Sequence, residues 1–152
     1  MGRSSVLAVG AVLAALAAGP GCDASEPDEG ALLLGTIDTH HFCDMDAVVE
    51  VRLRAHWQAC AEVEPGCEPP PRTQLEGDRY TCPATDATHE LGVSLTHPGR
   101  YRVEAEAVLT VGPPRRECFV DPESGDTRIE LPLDRLTSRS PVVLDEHGPC
   151  PP

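Results

Sequence analysis

The chain has 152 residues, with 12 basic side chains against 25 acidic ones, a formal net charge of −13 and few aromatics. A chain this acidic lacks the basic footprint of a nucleic-acid binder and the polybasic patches that hold proteins to anionic lipid. All of its bases are arginine and it has no asparagine, which excludes Asn-linked glycosylation.

The first segment reads as an export signal. Arg3 supplies a positive start, Val6 to Ala18 an apolar run, and Gly19-Pro20-Gly21 breaks that run well short of the roughly 20 residues a spanning helix needs. Two cleavage points follow from this layout. Ala15-Leu16-Ala17 has the small-x-small spacing of ordinary signal cleavage, which would release a soluble secreted or periplasmic chain. Gly19-Pro20-Gly21-Cys22 resembles the lipobox of bacterial lipoproteins, although that family usually carries Leu where this chain has Gly19, and Pro20 also departs from its pattern. The resemblance implies removal of residues 1–21, a lipid on Cys22 and the membrane as a partner. Cysteine parity favours it: Cys43, Cys60, Cys67, Cys82, Cys118 and Cys150 can pair among themselves, whereas soluble release that kept Cys22 would leave an odd thiol in an oxidising compartment. Residues 22–30, acidic and poor in apolar side chains, form a tether.

From residue 31 onward the pattern is that of strands. Leu32 to Ile37 makes a first strand. His40-His41-Phe42-Cys43-Asp44-Met45-Asp46 then gathers imidazoles and carboxylates suited to a transition metal. Adjacent residues on an extended chain point apart, so the segment reads as a polar loop; a metal site on His40, His41, Asp44 and Asp46 is the alternative. From residue 47 to 57, Val49, Val51, Leu53, Ala55 and Trp57 alternate with Glu50, Arg52, Arg54 and His56, the period of a half-buried strand. Residues 58–87 are a long loop with Glu68-Pro69-Pro70-Pro71 and two cysteines near its start, the largest surface for recognition. Alternation returns at Leu91, Val93 and Leu95, and again from Tyr101 to Val111, where Arg102, Glu104 and Glu106 take ordinary solvent positions. Asp121 to Asp126 is a turn; its Asp121, Glu123 and Asp126 lack the spacing and closing Glu of an EF-hand. Strands at Ile129 to Leu133 and Pro141 to Leu144 complete the chain, and no stretch has a helical period. The reading is one all-β domain over 31–152, an antiparallel β-sandwich.

Leu95-Thr96-His97-Pro98-Gly99-Arg100-Tyr101-Arg102-Val103 resembles the Pro-Gly-x-Tyr-x-Val step of immunoglobulin-like β-sandwich modules. The resemblance implies that Tyr101 sits at a sheet corner with its hydroxyl bonded to nearby backbone. Transthyretin-like sandwiches share the step and are the alternative.

The core is short of large side chains, so the six cysteines read as staples. They allow fifteen pairings. A strand from 47 to 57 separates Cys43 from Cys60 by roughly 36 Å, which excludes that bond. If Cys118 pairs with Cys150, the others form Cys43–Cys82 with Cys60–Cys67, or Cys43–Cys67 with Cys60–Cys82; the tight Glu-Pro-Gly segment between Cys60 and Cys67 favours the former. No Cys-x-x-Cys pair is present and the spacing fits no zinc ribbon, so no metal or other cofactor is expected. Hydrolase and phosphate-binding signatures are absent as well. The chain is therefore expected to be a non-enzymatic, lipid-anchored envelope protein, whose sandwich binds an envelope partner or serves as a structural accessory.

Overall fold

In the first strand, β1 (Ala31–Asp38), Ala31, Leu33, Gly35 and Ile37 face inward and Leu32, Leu34 and Thr36 outward, as period-two patterning requires. The computed structural model describes residues 30–60, 67–136 and 140–152, so the signal segment, Cys22 and the tether up to residue 29 lie outside the described residues. A five-residue helix, α1 (Thr39–Cys43), follows β1. Asp38 caps it by accepting from the His41 backbone N–H at 3.0 Å, an N-cap that no helical periodicity announced. Next come β2 (Val48–Ala59), β3 (Gln74–Thr81), β4 (Thr88–Leu95), β5 (Gly99–Leu109), β6 (Arg115–Phe119) and β7 (Arg128–Leu131), then a short helix α2 (Leu133–Leu136), β8 (Val142–Leu144) and β9 (His147–Pro149).

The strands form two sheets. The smaller has the order β4-β1-β8; the larger has the order β3-β2-β5-β6-β9, with β7 added to the free half of β5. All pairs are antiparallel except β1 with β8, which run parallel, so the sandwich is not purely antiparallel. Leu33, Ile37, Leu91 and Leu95 from the smaller sheet meet Val51, Leu53, Tyr101, Val103, Phe119 and Ile129 from the larger in one core. Gly35 marks the closest approach. A Cβ there would stand 2.6 Å from the Phe119 ring and 3.1 Å from Leu53 across the interface.

Several expectations change. Residues 58–87 are not one loop, because β3 occupies Gln74–Thr81. Only Tyr80 is buried on β3, and its otherwise polar sequence hides an edge strand beside β2. The β2 alternation begins later than expected. An irregularity between Val48 and Glu50 puts Val48 inside and leaves Val49 40% exposed. Strand β5 ends at Leu109, and Val111 is exposed in the turn beyond; Leu133 is exposed on α2 rather than inward on a strand. Glu104 and Glu106 face away from the core yet are buried, at 1% and 3% exposure.

Disulfides join Cys43 to Cys82, Cys60 to Cys67 and Cys118 to Cys150, with Cα separations of 5.4, 5.8 and 4.8 Å. The first ties the end of α1 to the end of β3, and the last ties β6 to the residue after β9. Tyr101 is fully buried at the start of β5 and donates its hydroxyl hydrogen bond to the His97 carbonyl at 2.7 Å. Burial pushes its phenol up to about 12.

Candidate functional site

The outward face of the larger sheet carries the most constructed polar arrangement among the described residues. Strands β2 and β5 pair in antiparallel register with Arg52 opposite Glu106, Arg54 opposite Glu104 and His56 opposite Arg102. On the other side of β5, Cys118 stands opposite Glu104 and Arg116 opposite Glu106. Side chains on one face of adjacent strands reach one another directly or diagonally, so acids on the central strand meet bases from both neighbours.

His56 Nε2 lies 2.8 Å from Glu104 Oε1, with Arg116 Nε at 3.5 Å from the same oxygen and Arg102 Nε at 3.6 Å from Oε2. Glu106 takes Arg116 Nε at 3.0 Å and Arg54 Nη2 at 3.4 Å. Burial pushes the Glu104 carboxyl up. The His56 hydrogen bond, and the charges of His56, Arg116 and Arg102, more than offset this and hold it below its ordinary value. The pairing is incomplete: Glu104 Oε2, Arg102 Nε and Arg54 Nε are buried and make no hydrogen bond. The Sγ atoms of Cys118 and Cys150 complete this corner, and each lies within 4.8 Å of a Glu104 oxygen.

A second polar cluster lies at the β6–β9 edge. Glu117 receives His41 Nε2 at 2.7 Å on one oxygen and His147 Nδ1 at 2.6 Å on the other. The His147 ring also packs against Phe42 and Phe119, at centroid distances of 5.4 and 5.6 Å. Partial burial pushes the Glu117 carboxyl up, and hydrogen bonds from His41 and His147 pull it below its ordinary value. The cluster clamps α1 onto the larger sheet.

This arrangement divides the sequence-predicted metal ligands. His41 turns to Glu117, His40 reaches Asp44 one helical turn on at 3.7 Å, and Asp46 is exposed in the following turn. His40, His41, Asp44 and Asp46 are therefore not brought together, and Cys43 is in a disulfide. Asp121 is buried as a turn cap, accepting from the backbone N–H groups of Glu123 and Ser124 at 2.8 and 3.3 Å.

A cleft of about 550 Å³ opens beside that turn, where acids and bases meet in pairs: Arg100 with Glu130 at 2.6 Å, Arg128 with Asp126 at 3.5 Å, and Arg135 with Glu123. Sequence reasoning missed Glu104, Glu117 and His147 as site residues. A usable signal for Glu104 existed, since the polar positions of the two strongest strand patterns carry opposite charges. Glu117 and His147 sit on short strands with no alternation to announce them. The chain matches no protein family, no curated protein and no solved structure.

Proposed function

We propose that the chain is an exported, non-enzymatic envelope protein, anchored by a lipid on Cys22 and displaying an immunoglobulin-like sandwich as a binding or structural-accessory module. One observation carries the reading. The disulfides consume Cys43, Cys60, Cys67, Cys82, Cys118 and Cys150, so Cys22 is the single cysteine with no use in the domain. Such bonds belong to an extracellular or periplasmic compartment. No helix among the described residues is long and apolar enough to cross a membrane, so attachment through a modified cysteine is consistent with the domain. The Tyr101–His97 hydrogen bond at the sheet corner supports the immunoglobulin-like reading.

Intact-mass analysis of the chain made in a bacterial host tests the anchor. The expected product begins at Cys22, carries a diacylglyceryl group and partitions with membranes, while Cys22→Ser shifts it to the soluble fraction. A wild-type chain beginning at Ala18 without lipid overturns the anchor.

A further inference from the structure

The two outer faces of the sandwich differ in kind. The outward side chains of β2 and β5 form the charged network around Glu104 and Glu106, whereas the smaller sheet turns outward Leu32 and Leu34 from β1 and Val143 from β8, with Leu34 and Val143 in register. Leu32 is 42% exposed and Val143 37%. On the other side of β1, Gly92 and Ser94 of β4 stand opposite Leu34 and Leu32. A Cβ at Gly92 would lie 3.3 Å from Leu32 Cδ1 and 3.5 Å from Leu34 Cδ2, so both leucines lean across it and the uncharged surface runs over three strands. Acids stand at its rim. Asp78 accepts from the Gly92 backbone N–H at 2.9 Å. At the far end of β1 lie Asp38, Glu90 opposite Thr36, and Asp145, which accepts from Thr36 Oγ1 at 2.8 Å.

The apolar end of this face is the end at which the chain enters the domain. β1 begins at Ala31, and Leu32 is its first outward residue. Cys22 is eight residues ahead of Gly30, so a lipid on Cys22 holds Gly30 within about 29 Å of itself whatever path the chain takes. Aliphatic side chains held that close to lipid gain by leaving water. The acids at the far end of β1 and the ion pairs on the opposite face keep their hydration if they point away. We propose that the domain lies on the bilayer with Leu32, Leu34 and Val143 against zwitterionic phospholipid, an orientation that rests on the lipid at Cys22.

Charge selects the lipid, because a chain of net charge −13 is repelled by an anionic surface. Three partly exposed aliphatic side chains are too little apolar surface to hold a free protein on a membrane. The anchor supplies the difference, since it turns the contact into an intramolecular one at high effective concentration. The unanchored domain therefore stays in solution, and the anchored one lies down on this face.

The test uses the full chain made in a bacterial host, its diacylglyceryl group confirmed by mass, in vesicles of dimyristoylphosphatidylcholine. The unanchored Cys22→Ser chain with the same vesicles is the reference, and hydroxyl-radical oxidation mapped by residue is the readout. Oxidation of Leu32, Leu34 and Val143 should fall by about threefold or more in the anchored chain, as a face docked two-thirds of the time requires. Val49 on β2 and Val111 in the turn after β5, exposed aliphatics away from this face, should keep their reactivity. In Leu32→Asp with Val143→Asp, the lipid remains and Leu34 should return to the unanchored rate. The orientation is overturned, with the anchor left standing, by a lipidated chain oxidised at the unanchored rate, by an equal fall at Val49 and Val111, or by a folded double variant whose Leu34 stays shielded. A chain without the diacylglyceryl group overturns the anchor and the orientation together. The contrast with Val49 and Val111 lies within one chain, so it decides the matter even if the double variant fails to fold.

Discussion

A carboxylate moved out of water loses several kcal/mol of solvation, and Glu104 recovers this only through His56, Arg102 and Arg116. Removing it strands those cations against one another. Glu104→Ala should therefore cost about 3 kcal/mol, the low end for breaking a buried ion pair, because Arg102 and Arg116 keep access to water. Glu76, half exposed and paired with Arg54 and Arg79, should cost less than about 1 kcal/mol as alanine. Urea denaturation of the two variants checks the contrast.

Acid acts on the same residues. Glu104 and Glu117 both titrate below the ordinary 4.5 when folded, so the unfolded chain takes up their protons first. Their contribution is complete above that ordinary value and disappears as pH falls through the lowered folded values. The groups facing them are His56, Arg102 and Arg116 at Glu104, and His41 and His147 at Glu117. Denaturation midpoints measured from pH 6 down to pH 3 should fall steeply below about 4.5, and Glu104→Gln with Glu117→Gln should flatten that fall.

Among the elements, the cross-links differ in the length of chain they close. Cys43–Cys82 spans 39 residues, Cys118–Cys150 spans 32 and Cys60–Cys67 only 7. Loop-closure entropy then ranks the first two nearly equal, each about 1.4 kcal/mol above the third. Paired Cys→Ser variants followed by thermal melting should reproduce that order, with Cys60→Ser plus Cys67→Ser the mildest.

Sequence patterning found the strands with an apolar and a polar side, β1, β2, β4 and β5, and it also placed strands at β7 and β8. It passed over β3, β6 and β9 because they are edge or near-edge strands with few inward side chains. It passed over α1 because a five-residue helix is made by its cap and by burial of Phe42, and neither repeats along the chain.

At the scale of the whole molecule, the two-sheet architecture was readable in the sequence and the site was not. Alternation says which side of a strand is polar; it does not say whether that side meets water. Glu104 and Glu106 were assigned to solvent because they alternate with Val103, Ala105 and Ala107. They are buried because the strands on both sides of β5 carry bases long enough to close over them.

The parallel pairing of β1 with β8 has a mechanical consequence. β1 lies between β4 and β8 and bonds to both, along Ala31 to Asp38 on one side and Leu33 to Gly35 on the other. Tension on the residues ahead of Ala31 runs along the axis of β1 and loads those bonds in shear, all together, instead of peeling them one at a time. Behind β8, the backbone at residues 145–146 leads straight into β9, so the load passes from the smaller sheet into the larger, where the Cys118–Cys150 bond ties the end of β9 to β6. The domain would thus resist a pull applied at the start of β1.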